Sequence, residues 1–342
     1  MSVKHSRCLV CLLALVAAVA ATGLSTVATA GEDELIVYSA RQEHLIKPVF
    51  ERYEEETGVS VRYVTDDAAP LLQRLESEGR RTNADLFMTV DAGNLWQAAE
   101  RGLLAELDSE VLRERVPEHL RDPDGQWFGL SQRVRTLVYH QERVDPDELR
   151  GYADLAESRW EGRLCLRTAR KVYNQSLVAI LLEEHGRERT EEIVSGWVSN
   201  LATDPYSNDT RVMEAIQAGQ CDVGIVNSYY FGRLEEDDPE IPLALHWADQ
   251  DGSGVHVNVS GAGVTRHASN PEAAEAFLEW LAGEEAQGMF AGLNHEYPVN
   301  PGVAPSEQVA AWGEFAAQPI NVSVAGERQR EAVMLMDRMG YR

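Results

Sequence analysis

Two adjacent tyrosines, Tyr229 and Tyr230, follow the apolar run Cys221 to Val226, which reads as a short buried strand. Asn227 and Ser228 stand between strand and tyrosines and favour a turn or a helix N-cap. In open α/β sheets the carboxyl ends of strands are where ligands bind. Two readings fit phenols at such a place. Phenol oxygens are hard donors and suit a hard cation. The same pair could also pack beneath a helix, each hydroxyl bonded to backbone. Local sequence leaves both open. Other chemistries find less support. His246 and His256 fall in strand-like segments, and neither His-x-x-x-His nor Cys-x-x-Cys spacing occurs, which speaks against zinc. There is no phosphate loop and no dinucleotide fingerprint. Ser39, Ser176 and Ser228 have no evident His partner, and no carboxylate pair stands out, so the chain is not read as an enzyme.

The elements that must position these residues fall into two α/β units. Glu34–Ser39, Gly58–Val64 and Ala84–Val90 read as strands, separated by helical patterns over Leu45–Thr57 and Leu71–Glu78 and followed by another over Asn94–Arg101. This β-α-β-α-β order implies a parallel sheet with crossover helices. Trp127–His140 reads as one long strand, with Arg133 and Arg135 alternating against Val134 and Leu137. After a predicted helix over Tyr152–Trp160, a second unit opens with the strand Leu164–Leu166. Helices over Val172–His185, Thr190–Leu201 and Arg211–Ala218 lead to the Cys221 strand. Val255–Val264 is extended and returns the chain to the first unit; helices over Pro271–Gly283 and Glu285–Phe290 and a mostly helical tail over Val309–Met339 follow. Two α/β lobes joined by two extended crossings suit a hinged binding protein, with its ligand in the inter-lobe cleft.

The chain has 342 residues, enough for two domains and a large core. Residues 1–30 read as a secretory signal: Lys4 and Arg7 precede an apolar stretch, and Ala28-Thr29-Ala30 is a cleavage site before acidic residues. Export to the periplasm is therefore expected. It leaves Cys165 and Cys221, which an oxidising compartment permits to pair; two buried thiols are the alternative. With 31 basic and 56 acidic residues the formal charge is −25, a field that repels nucleic acid and anionic lipid. Beyond the leader only Lys47 and Lys171 are lysines, a balance suited to solubility in a salty medium.

Several segments together carry a family resemblance. They are Val37-Tyr38-Ser39-Ala40-Arg41, Phe50–Val59, Ala84–Trp96, Val172-Tyr173-Asn174-Gln175-Ser176, Asn227–Arg233 and Tyr297-Pro298-Val299-Asn300. With these the chain resembles the periplasmic ferric-ion-binding proteins of ABC transporters, of the type II periplasmic binding protein fold. The resemblance implies Tyr173, Tyr229 and Tyr230 as Fe³⁺ ligands, whose three phenolates would neutralise the ion's charge. Some members of that family place a His or Tyr ligand just after the first strand. Here Gln42, Glu43 and His44 occupy that region, with His44 as a weak candidate for a fourth ligand. Members without that ligand complete the shell with an anion, typically carbonate, and Arg41 and Arg135 are the candidates to hold it. Both could instead be paired with acids. Asp91 is expected either to support the site or to cap the following helix. The resemblance further implies an inner-membrane ABC permease as partner, and a monomer is expected. The expected division is a first lobe of 31–134 plus about 257–305 and a second of about 139–253 plus 306–342. A small-oxyanion receptor on the same fold is the alternative.

Overall fold

The computed structural model describes residues 34–342; the expected signal peptide lies outside the described residues. The strands are β1 (Glu34–Ser39), β2 (Ser60–Thr65), β3 (Leu86–Val90), β4 (Phe128–His140), β5 (Leu164–Cys165), β6 (Val223–Asn227), β7 (Leu243–His246) and β8 (Val257–Val264). The helices are α1 (Glu43–Thr57), α2 (Ala68–Glu78), α3 (Ala92–Glu100), α4 (Glu110–Arg115), α5 (Val172–Asn200), α6 (Asp209–Gln217), α7 (Ser228–Asp237), α8 (Pro271–Leu281), α9 (Glu284–Asn294), α10 (Glu307–Ala311), α11 (Val324–Glu327) and α12 (Gln329–Arg338). The strands run β2-β1-β3-β8-β4-β6-β5, with β7 also on β4. β1 pairs in parallel with β2 and β3, as the alternating start of the chain predicts.

The long strand β4 belongs to both halves. Its residues up to Val134 pair antiparallel with β8, and its residues from Arg135 onward pair with β6 and β7. Thirteen residues of strand are long enough to leave one sheet and enter the other, and twelve of the thirteen are buried. The second crossing is the extended run into β8, where the Arg135 N–H donates to the His256 carbonyl at 3.0 Å. The molecule has the two-lobed type II fold.

Helix α1 shows the local logic. Ile46, Val49, Phe50 and Tyr53 recur at helical spacing and are buried. Gly58 ends the helix in the left-handed region at φ 76°, its N–H donating to the Glu54 carbonyl. Because α1 begins at Glu43, Pro48 falls in the second turn rather than the first, leaving the His44 carbonyl without a helical donor. The two predicted helices over Val172–Leu201 are both present: α5 is broken at Gly186, whose φ of 74° and ψ of 173° are not helical, and Thr190 Oγ1 donates to the Gly186 carbonyl at 2.7 Å.

Two expectations need correction. Tyr152–Trp160 is not a helix but two short 3₁₀ turns, Asp154–Ala156 and Ser158–Trp160. Asn200 Nδ2 donates to the Leu155 and Glu157 carbonyls and so takes acceptors that a longer helix would need. The tail is less helical than predicted: residues 312–323 are irregular between α10 and α11. Gly313 at φ 88° turns the chain there, and Pro319 denies a helical donor.

Candidate functional site

Tyr173 occupies the first turn of α5, and Tyr229 and Tyr230 the first turn of α7, directly after β6. Helix N-termini carry free N–H groups and the positive end of the helix dipole, which favour anionic oxygen. Asn174 Nδ2 ties down the loop before α5 by donating to the Arg167 and Thr168 carbonyls at 2.8 and 3.1 Å. Asn227 stands at the N-cap position of α7, as the sequence suggests, but its side chain makes no capping bond; Oδ1 accepts from Arg135 instead.

The three phenols meet. The Tyr229 hydroxyl donates to the Tyr173 hydroxyl at 3.3 Å, and the Tyr229 and Tyr230 ring centroids are 4.4 Å apart. Tyr173 and Tyr229 are each 7 % exposed, buried but not sealed. Four cations surround the rings. Arg133, Arg167 and Lys171 lie 5.4, 5.3 and 5.1 Å from the centre of Tyr173. Arg167 and Arg233 lie 5.9 and 5.8 Å from that of Tyr230, and Arg233 lies 5.1 Å from that of Tyr229. Such contacts stabilise electron-rich rings.

Burial sets the protonation of these phenols. It pushes Tyr173 up from its ordinary value, with Arg133 pulling the other way. It pushes Tyr229 further up, reinforced by negative charge on Tyr173 and Tyr230. Burial alone would lower Arg133, but Tyr173, Glu296, Tyr229 and Asp91 outweigh it and hold the guanidinium charged. Phenols in this state bind a cation by giving up protons to it, which a multivalent ion can enforce.

The remaining predicted residues are placed differently. His44 is exposed on the first turn of α1 and makes no hydrogen bond to the tyrosine cluster. Arg41 is buried, with Nη2 2.8 Å from Glu296 Oε2, Nη1 donating to Ser131 Oγ, and its guanidinium over the Phe290 ring. Arg135 is buried among Asn174 Oδ1, Asp209 Oδ2 and Asn227 Oδ1, at 2.6, 3.1 and 3.2 Å from its nearest nitrogens. Both arginines are thus ion-paired, the alternative noted above, and neither presents an uncommitted fork to an anion. Asp91 takes the capping role among its expected alternatives and also reaches α5. It caps α3 by accepting from the Gly93 N–H at 2.9 Å, and it accepts from Ser176 Oγ of α5 at 2.7 Å. Its φ of 79° is unusual for a residue with a side chain. Cys165 and Cys221 are joined as a disulfide, linking β5 to β6.

Sequence reasoning missed Arg133, Arg167 and Arg233 as neighbours of the tyrosines. Arg233 was within reach, four residues after Tyr229 on one helix face. Arg133 was noticed only as part of an alternation, and nothing local to Arg167 marks it. Among the described residues, Arg167 Nε and Nη1, Arg133 Nε, Arg41 Nε and Asn227 Nδ2 are buried donors with no hydrogen-bond acceptor, Asp209 Oδ1 lying 3.5 Å from Arg167 Nη1.

Comparison with known proteins agrees with this geometry. Residues 49–317 match the family model described as bacterial extracellular solute-binding protein. The chain is 40 % identical over 321 residues to iron uptake protein A1 of Synechocystis sp., covering 92 % of this chain and 89 % of that one. Among solved structures it superposes on Trichodesmium IdiA (FutA) in complex with iron and citrate ligands. The TM-score is 0.87 and the identity 39 %, over 90 % of this chain and all of the other. The open conformation of ferric iron-binding protein A from Mannheimia haemolytica gives a TM-score of 0.84 at 34 % identity, over 90 % of this chain and 99 % of the other. These relatives are solute-binding transport proteins and not enzymes. The chain belongs to the bacterial extracellular solute-binding proteins, in the group that includes the ferric-ion-binding members.

Proposed function

We propose that the protein is an extracytoplasmic iron receptor. It binds Fe³⁺ through the oxygens of Tyr173, Tyr229 and Tyr230 in the cleft between its lobes and delivers the ion to an ABC permease. The observation that carries this reading is the convergence of three phenols from two helix N-termini, with two hydroxyls 3.3 Å apart. Fe³⁺ prefers anionic oxygen, and three phenolates balance its charge. The named relatives support the choice of ion. The lobes on this reading are 31–134 plus about 257–305 and about 139–253 plus 306–342, with residues 1–30 removed on export. The receptor acts as a monomer.

Three phenolates leave positions on the ion for other oxygens. A small oxyanion, carbonate or a carboxylate such as citrate, would supply them. Arg167 and Arg133 fit that role better than Arg41 or Arg135, because both guanidinium groups lie against the Tyr173 ring and each keeps a buried Nε–H without an acceptor, with Asp209 and Glu296 no nearer than 3.5 and 3.7 Å. His44 has no part in this shell.

Equilibrium competition between the protein and citrate for Fe³⁺ tests the ligand set. Tyr173→Phe, Tyr229→Phe and Tyr230→Phe should each weaken iron binding by about two orders of magnitude or more, the scale of a lost charge-assisted ligand. Unchanged affinity in any one of them removes that tyrosine from the shell. Tight binding of a small oxyanion without iron would favour the oxyanion receptor instead.

A further inference from the structure

The sequence offered Arg135 as an anion holder, yet its surroundings give it a different task. One guanidinium joins both tyrosine-bearing segments. Nε and Nη2 donate to Asn174 Oδ1 at 3.0 and 2.6 Å, next to Tyr173. Nη1 donates to Asn227 Oδ1 at 3.2 Å, two residues before Tyr229, and Nη2 approaches the Ile225 carbonyl at 3.4 Å. Asp209 completes the centre: Oδ2 accepts from Arg135 Nη1 at 3.1 Å and from the Asn227 N–H at 3.0 Å. Its other oxygen lies 3.5 Å from Arg167 Nη1, so the same carboxylate steers Arg167 toward the tyrosines.

Tyr341, 167 positions after Asn174, closes the network. Tyr341 is 3 % exposed; its hydroxyl donates to the Arg167 carbonyl at 2.6 Å and accepts from Asn174 Nδ2 at 2.8 Å. It therefore fixes at once the loop that carries Arg167 and the residue beside Tyr173. Asn174 is saturated: its oxygen serves Arg135, and its nitrogen serves two carbonyls and Tyr341. Arg135, Asp209, Asn174, Asn227 and Tyr341 are all buried, and every link runs between different elements of the fold.

We propose that Arg135 and Tyr341 are positioning residues of the tyrosine site, holding the first turns of α5 and α7 in fixed register so that the three phenols meet at one point. The inference rests on the tyrosinate reading of the site. Outer-shell partners that orient metal ligands matter for affinity although they never touch the ion. Arg135 is suited to the task because a planar fork reaches several acceptors at once, which an ammonium on a flexible stem cannot reproduce.

The test compares wild type with Tyr341→Phe and Arg135→Lys, all purified as the full mature protein and titrated with ferric citrate. Tyr341→Phe keeps the buried ring and removes only the hydroxyl; Arg135→Lys keeps the charge facing Asp209. Each variant should bind Fe³⁺ on the order of tenfold more weakly or worse. Each should also shift the position or intensity of the tyrosinate-to-iron absorption band, which simple loss of stability would not do. Circular dichroism should show the native fold at the temperature of the titration. If Arg135→Lys does not fold, Tyr341→Phe alone decides. Wild-type affinity together with an unshifted band in folded Tyr341→Phe overturns the proposal. A wild-type protein with no such band would instead overturn the tyrosinate reading itself.

Discussion

At Tyr173 and Tyr229, the burial that hides the phenols from water also favours their protonated form, and on the proposed phenolate ligation this sets how iron affinity depends on pH. Both are held above the ordinary tyrosine value by burial. Binding must therefore expel protons, and affinity must fall as pH falls, by up to about tenfold per pH unit for each proton released. Citrate competition at pH 8 and pH 6, corrected for citrate protonation and ferric hydrolysis, should show that drop; a flat profile contradicts phenolate ligation. A second titrating residue lies outside the site. Burial raises Asp249 to about 6, and its φ is 57°. A carboxyl with a raised folded value gains its proton more readily in the folded state. It therefore opposes folding above pH 6, and the penalty fades between pH 6 and pH 4. Asp249→Asn should stabilise the protein by about 2 kcal/mol at pH 7.5, allowing for partial solvent exposure, and Asn tolerates the left-handed backbone. The gain should vanish near pH 4 in urea melts; an equal gain at both pH values would assign the effect to backbone conformation. At this scale the Tyr229–Tyr230 pair was visible as a local pattern, a strand followed by two phenols, but local sequence left its chemistry open and Tyr173 entered only through the family resemblance. Arg133 and Arg167 were not legible, since they reach Tyr173 from separate elements and only the fold brings them there.

The elements that present the tyrosines are joined covalently as well as by hydrogen bonds. Cys165 in β5 and Cys221 just before β6 enclose a loop of 56 residues that contains Tyr173. On the chain-entropy model such a crosslink stabilises the folded state by about 4 kcal/mol. The double variant Cys165→Ser/Cys221→Ser should therefore unfold at clearly lower denaturant, and a midpoint equal to wild type would show that backbone pairing of β5 with β6 suffices. Most helices were readable from apolar periodicity, as Ile46, Val49, Phe50 and Tyr53 illustrate. Helix α7 was foreseen only as a turn or N-cap, because the apolar spacing after Asn227 is broken by Gly232 and Arg233. The false helix at Tyr152–Trp160 has the converse cause: its apolar residues are buried as expected, but a distant side chain, Asn200, claims the carbonyls.

For the molecule as a whole, β4 is shared between two sheets, and on the proposed reading the cleft opens and closes by a hinge motion there. The Asp91–Ser176 hydrogen bond of 2.7 Å joins the proposed first lobe to the proposed second. Asp91 holds a backbone conformation that is costly outside glycine, a cost of order 1–3 kcal/mol that the surroundings must offset. Ser176→Ala should shift the iron-free protein toward open forms, seen as a larger radius of gyration in solution scattering. An unchanged radius would mean that the contact does not bias closure. The two-unit architecture was visible in the order of predicted strands and in the long Trp127–His140 run. The register at which β4 changes partners was not, because it pairs with residues 84 to 134 positions away in the chain.

The most direct test of the account is the visible spectrum of the purified mature protein as ferric citrate is added. Three tyrosinates on one ferric ion predict a charge-transfer band that saturates at one iron per chain and is lost or displaced in Tyr173→Phe, Tyr229→Phe and Tyr230→Phe. Iron uptake with no such band, or a band indifferent to all three substitutions, would contradict it.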